Sequence, residues 1–474
     1  MSGNDVEKPS KRPFFFCGIG GSGMLPLAQI AHGLGHFVAG SDRSYDQGHT
    51  PEKFHWLATN GFTLHPQDGS GIVSPDQVLI ASAAVEDTVP EVARSKELRC
   101  KRMSRAELLS DFFNAADFSI AVGGTSGKST VTGMIAWICH EAGRDPTVMN
   151  GAVMKNFADT DNPFASARVG SPGLFVSEVD ESDGSIALYR PSVGVLLNVS
   201  LDHKSIEELR MLFGDYLEAS DHPVINLDND EARHLADRVP TAVSFAIENA
   251  QADITVEPDS IQQGPLSIRA AVLDKQTREV FPLRLPMPGM HNLSNALAAI
   301  AAAKAAGIEV SVAVEALGRF EGLARRFDVI GTSGDDITVI DDFGHNPEKC
   351  AATLRTLKSS TGRVIAFFQP HGYGPLRQMG DELAETFARE LGEGDVTIMC
   401  DPVYFGGTVD RSEGTERITG LIESHGGIAH HIASRDECGD RIVEIARPGD
   451  RIVIMGARDD TLTSFARSIY ERLA

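Results

Sequence analysis

The sequence predicts an α/β protein of three domains, each built on a mostly parallel sheet. Two glycine-rich turns each follow a strand-like apolar run and precede a helix-like segment, and later strand-like runs alternate with helix-length segments. The 474 residues exceed what one hydrophobic core usually supports. We therefore expect a Rossmann-like domain at residues 1–115, a P-loop ATPase-like domain with a parallel sheet at 116–325, and a second Rossmann-like domain at 326–474.

Net charge, cysteine spacing and the uncharged stretch near the amino terminus indicate what kind of protein this is. The formal net charge of −23 argues against nucleic acid or an anionic membrane as a partner. The six cysteines show no paired spacing, so we interpret them as reduced thiols of a cytoplasmic protein. Residues 14–40 contain no charged side chain, but their glycines and polar residues favour strand, loop, helix and strand over a membrane span or signal peptide.

The first glycine turn follows the predicted strand 14–17 and precedes a helix at 25–34. A second strand, 36–40, ends next to Asp42, which is placed to bind a ribose. Alone, this G-x-G-x-x-G pattern is typical of a dinucleotide oxidoreductase, but a second phosphate loop a hundred residues later favours the diphosphate of another ligand. The candidate binding residues of the turn are Gly20, Gly21, Ser22, Gly23 and Met24.

Two further elements complete the first predicted domain. The apolar run 78–83 is a strand that ends in small residues, and Ser82 at this end joins the candidate substrate-binding residues. Ser104 begins a helix that leads to the domain boundary near Asn114.

The second glycine turn has the strand, loop and helix order of a phosphate-binding loop. Strand 118–122 precedes the loop, and a helix follows it. Lys128 is placed to reach the β and γ phosphates of ATP and Ser129 to bind Mg²⁺, although Val122 occupies the position of the first glycine in the usual pattern. The candidate residues are Gly124, Thr125, Ser126, Gly127, Lys128, Ser129 and Thr130.

Acidic residues follow the next predicted strand, 174–177. Glu178 and the carboxylates after it are placed to bind Mg²⁺ or its waters, and the alternative is a solvated acidic turn. Strand 193–198 leads to His203, which is either a metal ligand or a hydrogen-bonded loop histidine. Another strand is expected at 223–228.

Polar groups also mark the later part of the chain. His291, Asn292 and Asn295 precede a predicted helix at 296–306 and either cap it or bind an adenine. In the third domain, strands are expected at 337–340, 363–368, 395–399 and 451–455. Ligands bind at the carboxyl ends of strands in such sheets, so the loops with Asp342, His345 and His371 are the expected third wall of the site.

These motifs, in this order, resemble the Mur ligases of peptidoglycan synthesis over nearly the whole chain, most closely the branches that add alanine or recycle the murein tripeptide. The matching motifs are residues 18–24, 124–130, 150–151, 178–183, 202–203, 291–292 with Asn295, 325–328 and 342–345. It implies an ATP-dependent ligase of cell-wall synthesis that joins an amino acid or peptide to a UDP-N-acetylmuramate-like acid through an acyl phosphate.

The resemblance also implies individual roles. The first glycine turn would hold the UDP diphosphate, Lys128 the ATP phosphates, and Ser129, Glu178 and His203 the Mg²⁺ ion. Asn292 and Asn295 would meet the adenine, while Arg326 and Asp342 would meet the nucleotide as the third domain closes. The catalytic set is then Lys128, Glu178, His203 and Arg326. The implied partners are the two substrates alone, without nucleic acid or membrane, in a monomer or homodimer.

The chain departs from the family pattern on the side of the amine substrate. Phe343 stands where the alanine-adding enzymes have tyrosine, and Asn346 replaces a second histidine. Gly372 and Pro375 occupy a loop that normally carries two arginines, with Arg377 the nearest replacement. A paralogue that joins a different amine, or that acts on a substrate outside peptidoglycan synthesis, is therefore an open alternative.

Two alternatives come from other classes of protein. A nicotinamide-dependent oxidoreductase would use the first glycine turn and Asp42. A non-catalytic, nucleotide-gated binding protein would explain the altered amine side, but retention of Lys128, Ser129, Glu178 and His203 together counts against it.

Overall fold

The computed structural model describes residues 11–82, 85–200, 204–402, 414–457, 459 and 461–474. The chain divides into two compact units. Unit 1 comprises the residues up to Pro258 together with Ala271–Leu283 and Ser294–Phe320, and unit 2 comprises Asp259–Ala270, Arg284–Leu293 and Glu321–Ala474. None of the helices within the described ranges is both long and apolar enough to cross a membrane.

The first sheet of unit 1 is parallel and has the strand order β3-β2-β1-β4-β5. Its strands are β1 Pro13–Cys17, β2 Phe37–Ser41, β3 Thr63–His65, β4 Val78–Ala81 and β5 Lys101–Ser104. The helices of this part are α1 Met24–Gly33, α2 Arg43–Asp46, α3 Pro51–Thr59, α4 Pro90–Leu98 and α5 Arg105–Asn114. The strand order reverses between β1 and β4, so the glycine turn after β1 lies at the switch point where such sheets bind ligands.

The second sheet has the order β14-β15-β13-β12-β11-β10-β6-β9-β7-β8, with β16 paired to β15. Its first strands are β6 Phe118–Gly123, β7 Thr147–Met149, β8 Ala167–Arg168, β9 Leu174–Glu178, β10 Val193–Leu196 and β11 His222–Asn226. The remaining strands are β12 Val243–Phe245, β13 Ile254–Val256, β14 Gln262–Gln263, β15 Ile268–Asp274 and β16 Glu279–Leu285. Strands β6, β9, β10 and β11 pair in parallel as predicted. Strand β12, which extends this parallel part, and the antiparallel pairing of β15 with β13 were not predicted.

The helices that follow these strands are α6 Lys128–Glu141, α7 Ile206–Glu218, α8 Asp230–Arg233, α9 Met290–Ala305 and α10 Val310–Leu317. Helix α9 begins at Met290, six residues before the predicted start at 296. His291, Asn292 and Asn295 therefore lie in its first two turns and do not precede it, which corrects the prediction. The helix continues toward its amino terminus because Leu293 is fully buried and extends the apolar face of the alanine run.

One hydrophobic cluster joins the two sheets of unit 1. The Phe113 ring at the end of α5 packs edge-on against Phe175 of β9 and against Tyr189, at centroid distances of 5.6 and 5.1 Å. Two side chains of the first sheet also donate to backbone oxygens beside the second, Gln29 to Phe164 at 3.2 Å and Trp56 to Asp161 at 2.8 Å. The two sheets therefore share a core and hold a fixed mutual position.

Unit 2 contains the third sheet, in the order β17-β18-β22-β19-β20-β21. Its strands are β17 Asp328–Thr332, β18 Thr338–Asp342, β19 Val364–Gln369, β20 Val396–Met399, β21 Ala429–His431 and β22 Arg451–Gly456. Its helices are α11 Pro347–Lys358, α12 Tyr373–Glu390, α13 Thr415–Ser424, α14 Arg435–Ile445 and α15 Leu462–Leu473. The predicted parallel sheet is present, and β17 adds an antiparallel edge that was not predicted.

Helix α7 offers a direct test of the core of unit 1. The Phe213 side chain is fully buried, whereas Met211 on the same helix is 62% exposed. We expect Phe213→Ala to lower the free energy of unfolding by about 3–5 kcal/mol, because it leaves a cavity. Met211→Ala should change it by about 0.5 kcal/mol or less. Urea denaturation of both variants checks this, and equal effects would contradict the packing described.

Candidate active site

The second glycine turn connects β6 to α6 through residues 124–127. Gly124 has φ +136° and Gly127, which precedes the first helical residue, has φ +89°. Residues with a Cβ rarely adopt these conformations, so both positions require glycine. The turn directs the first N–H groups of α6 toward its opening, the arrangement that binds phosphate in nucleotide-binding proteins.

Asn198, just past β10, holds the shape of this turn. Its Oδ1 accepts a hydrogen bond from Ser126 N at 2.9 Å, and its Nδ2 donates to Ser126 O at 3.0 Å. Its carbonyl accepts from Thr125 N at 3.2 Å, and the Thr125 hydroxyl accepts from Ser200 N at 3.1 Å. Strand β10 pairs directly with β6, so the residues that follow the two strands meet. Asn198 had no predicted role, because the local sequence pattern does not reveal that β10 pairs with β6.

The Lys128 ammonium lies at the opening of the turn. Its Nζ donates to Gly124 O at 2.6 Å and to Glu181 Oε2 at 2.8 Å. The Glu181 side chain is 7% exposed and that of Lys128 19%, so this ion pair is largely shielded from water. Glu181 thus compensates the charge of Lys128. In the sequence, only its place in the acidic run 178–183 pointed to Glu181.

Ser129 and Glu178 form an oxygen pair beside Lys128. The Ser129 hydroxyl donates to Glu178 Oε2 at 2.7 Å, and Asn150 Nδ2 donates to Ser129 O at 3.1 Å. A Cβ on Gly151 would overlap Glu178 Oε1 and lie 3.1 Å from Ser129 Oγ, so the glycine leaves room at this pair. The described residues contain no cluster of three His, Cys, Asp or Glu that could hold a metal, and the third predicted ligand, His203, lies outside the described residues.

The predicted adenine-binding residues lie on α9. Within unit 1, a Cβ on Gly127 would be 2.7 Å from Asn295 Oδ1, so this amide lies against the phosphate loop. Thr130 is buried in the first turn of α6. Within unit 2, Asn292 is buried and its Nδ2 donates to Pro288 O at 2.8 Å, while His291 is exposed.

The first glycine turn is shaped by Asp42. Its Oδ2 accepts from Gly20 N and its Oδ1 from Ser44 N, both at 2.8 Å. Lys53 Nζ donates to Gly20 O at 3.2 Å on the same turn. Both oxygens of Asp42 therefore already accept backbone hydrogen bonds, and its proposed contact with a ribose stays a prediction.

The other predicted residues of this turn occupy different environments. Gly21 and Ser22 are exposed at its tip, and Gly23 is half-buried. Met24 begins α1 with its side chain in the core and its N–H donated to Gly21 O at 3.0 Å. Ser82 follows β4, the neighbour of β1, and so lies at the same sheet edge as the turn.

In unit 2, the end of β18 organises the segment that leads into the third sheet. Asp342 Oδ2 accepts from Phe327 N at 2.8 Å, and its Oδ1 accepts from Gly344 N at 2.9 Å. The Arg326 and Arg325 guanidinium groups lie over the Phe343 ring, at 4.6 and 5.0 Å from its centroid. Asp342 thus fixes the backbone beside Arg326, whose guanidinium is held by an aromatic ring.

His345 follows on the same loop and is half-buried. Its Nδ1 lies 2.9 Å from Phe343 O, so Nδ1 carries the proton and Nε2 has a free lone pair. Burial lowers the pKa of His345 to about 4, and the positive charges of Lys349 and Arg326 act in the same direction. The His371 ring stands perpendicular to it at 5.4 Å, and Arg377 lies on α12, which follows His371. At neutral pH, His345 is therefore an uncharged hydrogen-bond acceptor.

Comparison with known proteins decides the family. Family models match the chain at residues 13–116 (Mur ligase family, catalytic domain), 122–303 (Mur ligase middle domain) and 325–458 (Mur ligase, glutamate ligase domain). The UDP-N-acetylmuramate–L-alanine ligase of Cereibacter sphaeroides is 33% identical over 477 aligned positions, covering 97% of this chain and 96% of that protein. The chain belongs to the Mur ligase family.

Another relative and two solved structures support the same family assignment. The enzyme of the same name from Agrobacterium fabrum is 32% identical, with 94% of each chain covered. The crystal structure of the Thermotoga maritima UDP-N-acetylmuramate-alanine ligase superimposes with a TM-score of 0.80 at 26% identity, covering 97% of this chain and 98% of that one. A murein peptide ligase from Psychrobacter arcticus shares the fold, with a TM-score of 0.69 at 24% identity and 98% of each chain covered.

These findings confirm the predicted class and fold. The protein is an ATP-dependent, amide-bond-forming ligase with the three-domain α/β architecture of its family. The residue boundaries of the domains and the roles of individual site residues stay predictions.

Removing the Lys128 ammonium tests the phosphate loop. Lys128→Ala should lower kcat for ATP-dependent phosphate release by at least about 100-fold, because a preorganised cation facing the transferring phosphoryl group is lost. The fold should survive, as judged by circular dichroism. The matched control is Lys96→Ala, which removes an exposed lysine paired with Asp87 and should leave kcat unchanged. Unchanged turnover in Lys128→Ala would refute the assignment.

The uncharged state of His345 predicts a pH dependence of stability. Because the folded pKa is about 4 and the ordinary value is 6.5, the unfolded chain binds the proton more readily between these values. His345 therefore contributes its full stability above pH 6.5 and loses it as the pH falls toward 4. We expect the unfolding free energy of the wild type, relative to His345→Gln, to fall by about 1–2 kcal/mol from pH 7 to pH 5. A constant difference, measured by urea denaturation, would contradict this.

Proposed function

We propose that this Mur ligase joins the carboxylate of UDP-N-acetylmuramate to the amine of an amino acid, with L-alanine as the first candidate. The proposal is supported above all by one observation: two glycine turns, each between a strand and a helix and one of them with Lys128 at its opening, occur in one unit with a shared core. The proposed acid and amine are those in the names of the relatives.

The proposed reaction has two steps. A carboxylate oxygen of the acid attacks the γ-phosphorus of ATP, and ADP leaves with the electron pair of the broken bond. The amine nitrogen then attacks the acyl carbon and loses a proton to water, phosphate leaves with the electron pair of the broken C–O bond, and the amide remains. Lys128 is proposed to face the transferring phosphoryl group with positive charge, which is the main assistance such a loose transition state accepts. The role that the resemblance implies for Arg326 stays a prediction.

The Ser129 and Glu178 pair fits the Mg²⁺ ion that the family implies. Both offer hard oxygen ligands, and Gly151 leaves the space beside them. Two protein ligands suffice, because Mg²⁺ commonly keeps waters and binds phosphate oxygens. When bound, the ion would neutralise charge on the ATP phosphates. The role of His203 as a further ligand stays part of this proposal.

His345, His371 and Arg377 are proposed to form the amine side. The Nε2 lone pair of His345 suits an amine N–H donor. Gly372 and Pro375, where the family pattern has arginines, favour a second candidate, a larger amine such as a peptide that needs fewer carboxylate contacts.

A phosphate-release screen tests the proposal. ATP and Mg²⁺ are combined with UDP-N-acetylmuramate and each of L-alanine, other amino acids and the murein tripeptide. We expect phosphate release only when acid and amine are both present, and a product whose mass equals their sum less one water. UDP-N-acetylglucosamine, which lacks the carboxylate, is the control acid.

Three outcomes would reject the proposal. Phosphate release without an acid would indicate a simple ATPase. Absence of release with every acid and amine would favour a non-catalytic binding protein. Saturable binding of a nicotinamide dinucleotide without ligase activity would favour the oxidoreductase.

A further inference from the structure

Asp459 lies between β22 and α15, and it had no predicted role. Its side chain is 14% exposed, and each of its carboxylate oxygens accepts two hydrogen bonds. Oδ2 accepts from Gln369 Nε2 at 2.7 Å and from Arg435 Nη1 at 2.9 Å. Oδ1 accepts from the backbone N–H and the hydroxyl of Thr461. One carboxylate thus joins the end of β19 to the starts of α14 and α15.

These contacts keep Asp459 ionised at neutral pH. Burial raises its pKa, but the hydrogen bonds from Thr461 and Gln369 and the positive charge of Arg435 outweigh burial and lower the pKa below its ordinary value. Hydrogen bonds to an ionised carboxylate are shorter and stronger than those between neutral groups. Asp459 is therefore a strong anchor for the side chains that donate to it.

The hydrogen bond from Gln369 fixes the loop that carries His371. Gln369 is the last residue of β19, its side chain is buried, and its Oε1 accepts from Cys400 Sγ at 3.7 Å. Pro370 follows, with a fixed φ of its own, and it restricts the backbone of the residue before it. Few free torsions therefore separate the anchored amide from His371.

The backbone of Asp459 supports the loop that carries His345. Its carbonyl accepts from Arg325 Nη1 at 3.0 Å, and Arg325 Nη2 donates to Gly456 O at 2.7 Å. The Arg325 guanidinium lies 5.0 Å from the centroid of the Phe343 ring. That ring meets the His345 ring edge-on at 5.3 Å. Asp459 is thus connected to both loops of the proposed amine side.

The rings of His345 and His371 meet edge-on, with their centroids 5.4 Å apart. A single ring contact of this kind is too weak to hold two loops in register. We propose that Asp459 is a positioning residue: it holds the loops of His345 and His371 in the relative position that binds the amine. The inference rests on the proposed function for the identity of this side of the site, and it adds the residue that orients it.

Steady-state kinetics of Asp459→Ala test the inference. The variant removes all four side-chain hydrogen bonds, and circular dichroism checks that it folds. We expect KM for the amine to rise by about 10- to 100-fold, because displaced binding groups no longer meet the substrate together. KM for ATP and for the acid should stay within threefold of the wild type. A purely structural loss would not single out one of three substrates.

Asp450→Ala is the matched control, because Asp450 precedes the same strand, β22, at its opposite end. Asp450 is 2% exposed and pairs with the Arg363 guanidinium, whose Nε donates to it at 3.0 Å. We expect this variant to lower the midpoint of thermal unfolding at least as much as Asp459→Ala does. It should leave KM for the amine within twofold of the wild type.

Gln369→Met approaches the same contact from the other side, since it removes the amide that donates to Asp459. It should raise KM for the amine in the same direction. The double variant with Asp459→Ala should be no worse than the more affected single variant, because both act through one contact. Values of KM for the amine within twofold of the wild type in both single variants would overturn the inference and leave the proposed function intact.

A measurement that needs no turnover separates this inference from the proposed function. In the full-length protein labelled at histidine, a nuclear Overhauser contact between the ring protons of His345 and His371 should be present in the wild type and in Asp450→Ala. It should be lost in Asp459→Ala, and its retention there would overturn the inference. Its loss only in Asp459→Ala, in a protein without ligase turnover, would retain the positioning role and reject the proposed function.

Discussion

The hydrophobic contact between the first two sheets is the constraint on which the site of unit 1 depends. Phe113, at the end of the helix that Arg105 begins, packs on Phe175 of β9, whose strand ends at Glu178. One apolar contact thus links the helix that Arg105 begins to the strand that ends at Glu178. A reaction between groups that the two sheets hold needs such a fixed separation, because misalignment of reacting groups by about 1 Å can cost about 100-fold in rate.

The acidic segment after β9 distributes its charges among several neighbours. Glu178 accepts a hydrogen bond from Ser129, and Glu181 forms an ion pair with Lys128. The positive charges of Lys128 and Arg105 help to lower the pKa of Asp180, against the effect of burial. Two carboxylates of this segment therefore lie beside the second glycine turn, in contact with Lys128 and Ser129. The ion pair with Glu181 holds the Lys128 ammonium in place. A polyphosphate bound at this turn would compete with Glu181 for that ammonium.

Local patterns predicted much of this architecture. The two strand, turn and helix units were predictable because glycine spacing and apolar runs determine them within about 20 residues. Two contacts were not predictable: the hydrogen bonds of Asn198 with Ser126 and the ion pair of Glu181 with Lys128. Each depends on which strands become neighbours in the sheet. Asp42 shows a further limit: a carboxylate after the second strand was visible in the sequence, but its hydrogen bonds to Gly20 and Ser44 were not. The start of α9 was misplaced because polar residues at its beginning concealed the buried Leu293.

The backbone before β17 carries a consequence for protein engineering. Arg325 and Phe327 have φ of +60° and +50°, a region that costs a residue with a Cβ about 1–2 kcal/mol. Phe343 N donates to Arg325 O at 2.8 Å, and Phe327 N donates to Asp342, so the strained stretch is fastened to the end of β18. Glycine there would relieve the backbone but delete a guanidinium or an aromatic ring, and proline cannot adopt a positive φ. Chimaeras that exchange carboxy-terminal domains between Mur ligases should therefore transfer residues 325–343 as one block, with the junction placed upstream of Arg325.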